Sequence, residues 1–169
     1  MKRLLILCLI FVQTASMAQL KLARLFSDHV VLQRQKTIPV WGWATPKEKV
    51  TVTLANQKQV TTADASGKWT VKFAPMEAGG PYALSVVAKS GKLAVSDILL
   101  GEVWLCSGQS NMEWPVKQAD NFKAEKKNAN FPQIRHFFVA HDVVTQPQSE
   151  LTSGEWKICN EENVLVRRF

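Results

Sequence analysis

Ser110 is the residue of this chain whose setting most resembles that of a nucleophile. It follows Gly101-Glu102-Val103-Trp104-Leu105-Cys106-Ser107-Gly108-Gln109 and precedes Asn111-Met112. Val103 to Cys106 predicts an apolar strand, Ser107-Gly108-Gln109 a turn, and Ser110 the place where a helix starts. A sharp strand-to-helix turn exposes a serine hydroxyl, and the free N–H groups at a helix start stabilise a developing oxyanion. The chemistry would be attack on a carbonyl carbon. The run is not a Gly-x-Ser-x-Gly elbow, because Asn111-Met112 follows the serine. Gly108 is expected to permit a positive φ, and Gln109 to shape the turn with it. Asn111 caps the helix or orients the turn. Ser and Asn after a Gly turn are also common N-caps, so capping alone accounts for such a segment. Glu113 faces roughly the same side as Ser110, either as a partner of the helix N-terminus or as a base.

A serine nucleophile needs a base and an acid to orient it. The histidines are His29, His136 and His141. His29 lies in a β-rich segment, and His136 and His141 flank Phe137-Phe138. Surface or strand-end positions are the default for both. Cys106 and Cys159 would pair in an oxidising compartment if their backbones approached, but a Cys106 in a core strand predicts a buried free thiol. Two widely separated cysteines are too few ligands for a metal site.

The block Gly101-Glu102-Val103-Trp104-Leu105-Cys106-Ser107-Gly108-Gln109-Ser110-Asn111-Met112-Glu113-Trp114 resembles the first catalytic block of the sialate O-acetylesterase family, a group of SGNH-type hydrolases. Leu25-Phe26-Ser27-Asp28-His29-Val30-Val31-Leu32-Gln33-Arg34, Pro39-Val40-Trp41-Gly42-Trp43-Ala44 and Gly79-Gly80-Pro81-Tyr82 resemble its N-terminal segment. Pro132-Gln133-Ile134-Arg135 and Trp156-Lys157-Ile158-Cys159 fit downstream. The resemblance implies that Ser110 attacks an acetyl ester of sialic acid or a related acetylated glycan. Its own N–H and later Gly and Asn residues would hold the oxyanion, and an Asp-x-x-His block would supply the base. Neither those later blocks nor the catalytic His and Asp are found in this sequence, so this chain is expected to be weakly active or inactive. No cofactor or metal is implied.

The elements that would position Ser110 fall into two parts. From Gln19 to about Leu100 the pattern is all-β: Val50, Val52 and Leu54 alternate with threonines, Trp69, Val71 and Phe73 with Thr70 and Lys72, and Tyr82, Leu84 and Val86 repeat the period. Asp64-Ala65-Ser66-Gly67 and Glu77-Ala78-Gly79-Gly80-Pro81 read as turns. Residues 19–100 are thus expected to form an antiparallel β-sandwich. Trp41 and Trp43 are expected in its core, with a sugar-stacking platform as the alternative. Residues 101–169 read as the start of an SGNH-type three-layer α/β hydrolase domain, with a partly helical Trp114 to Ala129 and a buried parallel strand from Ile134 to Val139. After Val164 the pattern departs from the family with Leu165-Val166-Arg167-Arg168-Phe169. The expectation is a chain that stops inside its second domain, by truncation, frameshift or partial gene.

Lys2-Arg3, the apolar run Leu4 to Val12 and Ser16-Met17-Ala18 read as a signal peptide, residues 1–18, cut after Ala18. The expected product is secreted or periplasmic, and the run is too short to leave a membrane span. The 169 residues are 46% hydrophobic and 21% charged, a globular composition. The net charge of +7 falls to +5 without Lys2 and Arg3, leaving 19 basic against 14 acidic residues. The cluster Lys123, Lys126 and Lys127 reads as a solvated helix face, and no nucleic-acid partner is expected. A non-catalytic carbohydrate-binding β-module and a fragment that does not fold stably are the alternatives to an esterase. Oligomeric state is not legible.

Overall fold

Alternating apolar and polar residues build most of the strands. The computed structural model describes residues 19–108, 110–139 and 142–165. The expected leader (1–18), Gln109, His141 and the closing residues 166–169 lie outside them. Eight strands come first: β1 (Lys21–Leu22), β2 (Val31–Gln33), β3 (Ile38–Trp43), β4 (Lys49–Leu54), β5 (Gln57–Thr62), β6 (Lys68–Phe73), β7 (Gly79–Ala88) and β8 (Gly91–Gly101). Helix α1 (Phe122–Asn128) and strands β9 (Phe131–Phe137) and β10 (Trp156–Cys159) follow. Thus Lys123, Lys126 and Lys127 do sit on a helix, with Lys123 and Lys127 in solvent.

The first eight strands make two sheets. One has the order β1-β3-β6, and the other β2-β8-β7-β4-β5. Their inner residues join in one hydrophobic cluster. Ile38, Val40, Trp69, Val71 and Phe73 come from the first sheet; Val50, Val52, Leu54, Leu84, Val86, Val95, Ile98 and Leu100 come from the second. On β3, β4, β6 and β7 they occupy alternate positions, which places them on a single face; on β8 the alternation slips by one residue between Val95 and Ile98. Strand β5 has no buried residue, and Lys58 sits on this edge, where a charge discourages pairing with another chain. The turn at Asp64 forms as its residue types require. The Asp64 carboxylate accepts from the Ser66 N–H at 2.8 Å and the Lys68 N–H at 3.0 Å, and Gly67 takes φ +84°.

Four expectations need correction. The pairing is not wholly antiparallel: β2 runs parallel to β8, Val31 opposite Leu99 and Gln33 opposite Gly101. Trp41 and Trp43 are half-buried on the other face of β3 from Val40. Alternation placed them opposite Val40, Gly42 and Ala44, and the inward face went to the smaller residues. The buried tryptophan is Trp69, opposite Gly42. Val103 to Cys106 forms no strand, and Cys106 is exposed rather than buried, with its thiol free, as is that of Cys159. Among the described residues no strand lies beside this run, and backbone donors and acceptors without a neighbour cannot form a ladder. Lastly, β9 begins at Phe131, is largely exposed, and pairs antiparallel with β10, Phe137 opposite Trp156. It is not a buried parallel strand, because its one neighbour among the described residues is β10.

Among the described residues no helix is long and apolar enough to cross a membrane.

Candidate active site

Ser110 opens a single 3-10 turn, Ser110–Glu113, and is exposed to solvent. The helical start expected at this serine is present but short. A second 3-10 turn, Val116–Gln118, follows, and then α1. Gly108 does not serve as expected. Its φ is not positive. Instead, a Cβ there would lie 2.5 Å from Cγ of Met112, so the absence of a side chain lets Met112 fold back over the turn. Asn111 belongs to the backbone of the 3-10 turn; its side chain, that of Glu113, and Gln109 lie outside the described residues.

The strand leading to Ser110 is moored where it leaves the sheet. The Val103 N–H donates to Gln33 Oε1 at 2.9 Å, Gln33 Nε2 donates to Glu102 Oε2 at 3.0 Å, and Arg34 Nε meets Glu102 Oε1 at 2.6 Å. The hydrogen bonds from Gln33 and Arg34 hold the Glu102 carboxyl below its usual range. Beyond this mooring the chain turns outward, with Trp104 83% and Leu105 91% exposed.

No histidine or carboxylate among the described residues is hydrogen-bonded to Ser110. His29 is engaged elsewhere: its Nδ1 lies 2.6 Å from Asp97 Oδ2. His136 lies on β9 opposite Lys157 and is half-buried. The third histidine, His141, is outside the described residues. Among the described residues, therefore, no base is placed at Ser110.

A cluster that the sequence did not reveal ties the two parts together. Arg135, whose side chain is 4% exposed, meets Asp97 Oδ1 at 2.9 Å through Nη2 and donates to the Asp97 carbonyl through Nη1. On the opposite side, Glu150 accepts from the Arg24 N–H at 2.9 Å and pairs with Lys21 Nζ at 2.8 Å. Trp156 Nε1 donates to the Leu25 carbonyl at 2.9 Å, and Trp41 Nε1 to that of Ser149 at 3.3 Å. One signal was available: Arg135 is a lone cation between Ile134 and Phe137-Phe138, and a cation in an apolar strand needs an acceptor if it is buried.

No family model matches the chain. Curated relatives do. The mouse sialate O-acetylesterase is 36% identical over 143 residues, 78% of this chain and 26% of its own length. The human sialate O-acetylesterase is 34% identical over 158 residues, 85% of this chain and 30% of its own. Among solved structures, a carbohydrate acetylesterase from Xanthomonas citri superposes with a TM-score of 0.86 at 41% identity, covering 88% of this chain and 34% of that one. The chain is a homologue of the sialate O-acetylesterases. It spans 26% to 34% of the length of these relatives.

Strong acid should weaken the tethers at Asp97 and Glu150. Burial raises the Asp97 carboxyl, but hydrogen bonds from His29 and Arg135 outweigh it and hold the group below 3.8. Burial also raises Glu150, yet Lys21 and the N–H groups of Arg24 and Leu151 hold it below 4.5. Both are depressed in the folded state, so their stabilisation is complete above those values and is lost as pH falls through the folded ones. The indole N–H signals of Trp41 and Trp156 report the docked state by NMR. They are expected to hold from neutrality down to the carboxylate range and to collapse below it. Signals unchanged through strong acid would contradict this.

Proposed function

We propose that this chain provides the β-layer and the nucleophile turn of an exported carbohydrate acetylesterase, with Ser110 as the attacking residue. In this reading residues 1–18 are a cleaved leader, residues 19–100 form a β-sandwich, and residues 101–169 begin an SGNH-type three-layer α/β domain. The observation that carries it is the exposed Ser110 at a 3-10 turn, inside a chain homologous to acetylesterases over most of its length.

The reaction is acyl transfer. Ser110 Oγ attacks the acetyl carbonyl carbon, a base takes its proton, and the tetrahedral oxyanion rests on the Ser110 N–H and further donors. Collapse breaks the ester bond to the sugar oxygen, which leaves with the proton. Water then releases acetate from the acetylated serine. The base and its carboxylate partner lie in an Asp-x-x-His block, which this sequence lacks. The substrate class is an acetylated sialic acid or a related acetylated glycan. Exposed apolar side chains at Trp104, Leu105 and Trp114 support a surface that more of the catalytic domain would cover. A free sugar-binding platform is less well supported: Trp41 is hydrogen-bonded to Ser149, and the ring of Trp43 carries Lys21 Nζ 5.2 Å from its centroid.

The test joins residues 19–165 to the remaining two thirds of the Xanthomonas citri relative. Acetate release is measured on acetylated sialic acid and on an acetylated xylo-oligosaccharide. A cooperatively melting chimera that releases acetate from either supports the proposal, and the unjoined chain is expected to release none. A folded chimera inert on both substrates sinks it.

A further inference from the structure

Ser110 stands between two stems, and both are fixed to the same sheet. The first stem is the end of β8, moored by Gln33 and Arg34 at Glu102 and Val103. The second is the body that follows the serine. There the 3-10 turn Val116–Gln118 touches α1 and the 3-10 turn Asn163–Leu165, which in turn touches β10, the partner of β9. Strand β9 carries Arg135, and Arg135 enters the β-layer at Asp97 of β8.

The socket that receives Arg135 is built for a fixed geometry. Asp97 and His29 both occupy left-handed backbone, at φ 54° and 71°, a conformation that costs energy in residues with a Cβ and persists where surroundings impose it. The loop before β2 interlocks with β8 around them. The Asp28 carboxylate accepts from the Ser96 N–H at 2.7 Å and from Ser96 Oγ at 2.9 Å. The His29 N–H donates to the Ser96 carbonyl at 3.2 Å, and the Leu99 N–H to that of Val30 at 3.0 Å. Asp97 is thereby turned so that one carboxylate oxygen faces His29 and the other faces Arg135. Arg135 grips both the carboxylate and the main-chain carbonyl of one residue, and a planar guanidinium making two contacts fixes orientation as well as distance.

We infer that Arg135 is a positioning residue: locked into the Asp97–His29 socket, it sets the place of the β9–β10 body, and through it the Ser110 turn, against the β-layer. The β-layer is in this view a frame for the nucleophile. The inference builds on the reading of Ser110 as nucleophile, but its test measures geometry and needs no catalysis. An inert chimera would therefore sink the function and leave this inference standing.

The test uses two spin labels on the whole chain. Cys8, Cys106 and Cys159 are replaced by serine, and Lys58→Cys on β5 and Lys127→Cys on α1 carry the labels; both lysines are exposed. The distance distribution between them is expected to be single and narrow. Arg135→Gln and Asp97→Asn should each at least double its width, while the double variant adds nothing further. Arg135→Lys, which keeps the charge and loses the two-pronged grip, should fall between. Lys157→Gln, which removes the ion pair of this β10 residue with Glu155 (2.6 Å), should leave the width alone. A wild-type width in Arg135→Gln overturns the inference. If that variant fails to fold, a wild-type width in Asp97→Asn overturns it instead. A general loss of stability lowers the melting temperature without widening the distribution of the folded molecules, so that outcome also counts against positioning.

Discussion

Replacing Ser110 by alanine in the catalytically completed chimera is expected to lower acetate release by ~10⁴- to 10⁶-fold, the scale seen when members of a serine catalytic unit are removed. The loss should fall on kcat, since the hydroxyl forms a bond to the acetyl carbon only as the reaction proceeds. It should leave the melting temperature unchanged. Ser110 is exposed, and among the described residues its hydroxyl accepts and donates no hydrogen bond to a histidine or carboxylate. Surface positions without such partners rarely change stability by more than about 0.5 kcal/mol. Capping is the competing role for this serine, and the two roles separate cleanly. Loss of a cap costs about 1 kcal/mol of stability and no catalytic bond. A variant that melts earlier yet still releases acetate makes Ser110 a cap. A variant that melts normally and is inert, and that no longer takes up a fluorophosphonate probe, makes it the nucleophile.

The β-layer was legible because its code is local. A period of two over Val50-Thr51-Val52-Thr53-Leu54 admits one burial pattern, and all three apolar residues are fully buried in β4. Trp69, Val71 and Phe73 behave in the same way on β6. What periodicity lacks is the neighbour. Nothing in Val31–Gln33 discloses that it lies parallel to β8, because the pairing direction is set by how the intervening chain returns. Val103 to Cys106 has the composition of a buried strand and is exposed for the same reason: strand character is conferred by a partner, and apolar composition supplies only the motive for one.

The candidate site was legible in part and for a similar reason. The helical start at Ser110 could be read because the turn that carries it is contiguous in sequence. Gly108 was expected to take a positive φ and does not; what bars a side chain there is Met112, which no backbone argument discloses. His29, Asp97 and Arg135 are far apart along the chain and come together from a loop and two strands, so no spacing reveals them. Trp41 and Trp43 follow from a different kind of ambiguity. Two tryptophans flanking a glycine must share a face, but which face turns inward depends on the opposite strand. Gly42 faces Trp69 there, and one large ring fills the space that two others would have needed.

That pairing makes Trp69→Ala the most damaging single change expected in the core. Trp69 is 1% exposed and lies between the two sheets, opposite Gly42 on β3. Truncating a buried aromatic removes its transfer free energy and leaves a cavity, a cost of about 3–5 kcal/mol. A domain of this size holds about 5–15 kcal/mol in all, so the variant should lose a third or more of its stability in urea or thermal unfolding followed by circular dichroism. Gly42 tests the same contact from the other side. A Cβ there would lie 2.7 Å from Cζ2 of Trp69 and 2.1 Å from the Lys21 carbonyl oxygen of β1. Gly42→Ala therefore overpacks the site and should cost about 1–3 kcal/mol or more. The two defects do not cancel in Trp69→Ala/Gly42→Ala. Removing the ring relieves one clash, while the carbonyl of Lys21 belongs to backbone paired with β3 and must still move. The double variant should be less stable than Trp69→Ala alone, but by less than Gly42→Ala costs in the wild-type background. Full additivity would mean that the ring and the glycine do not share the space that the structure assigns to them.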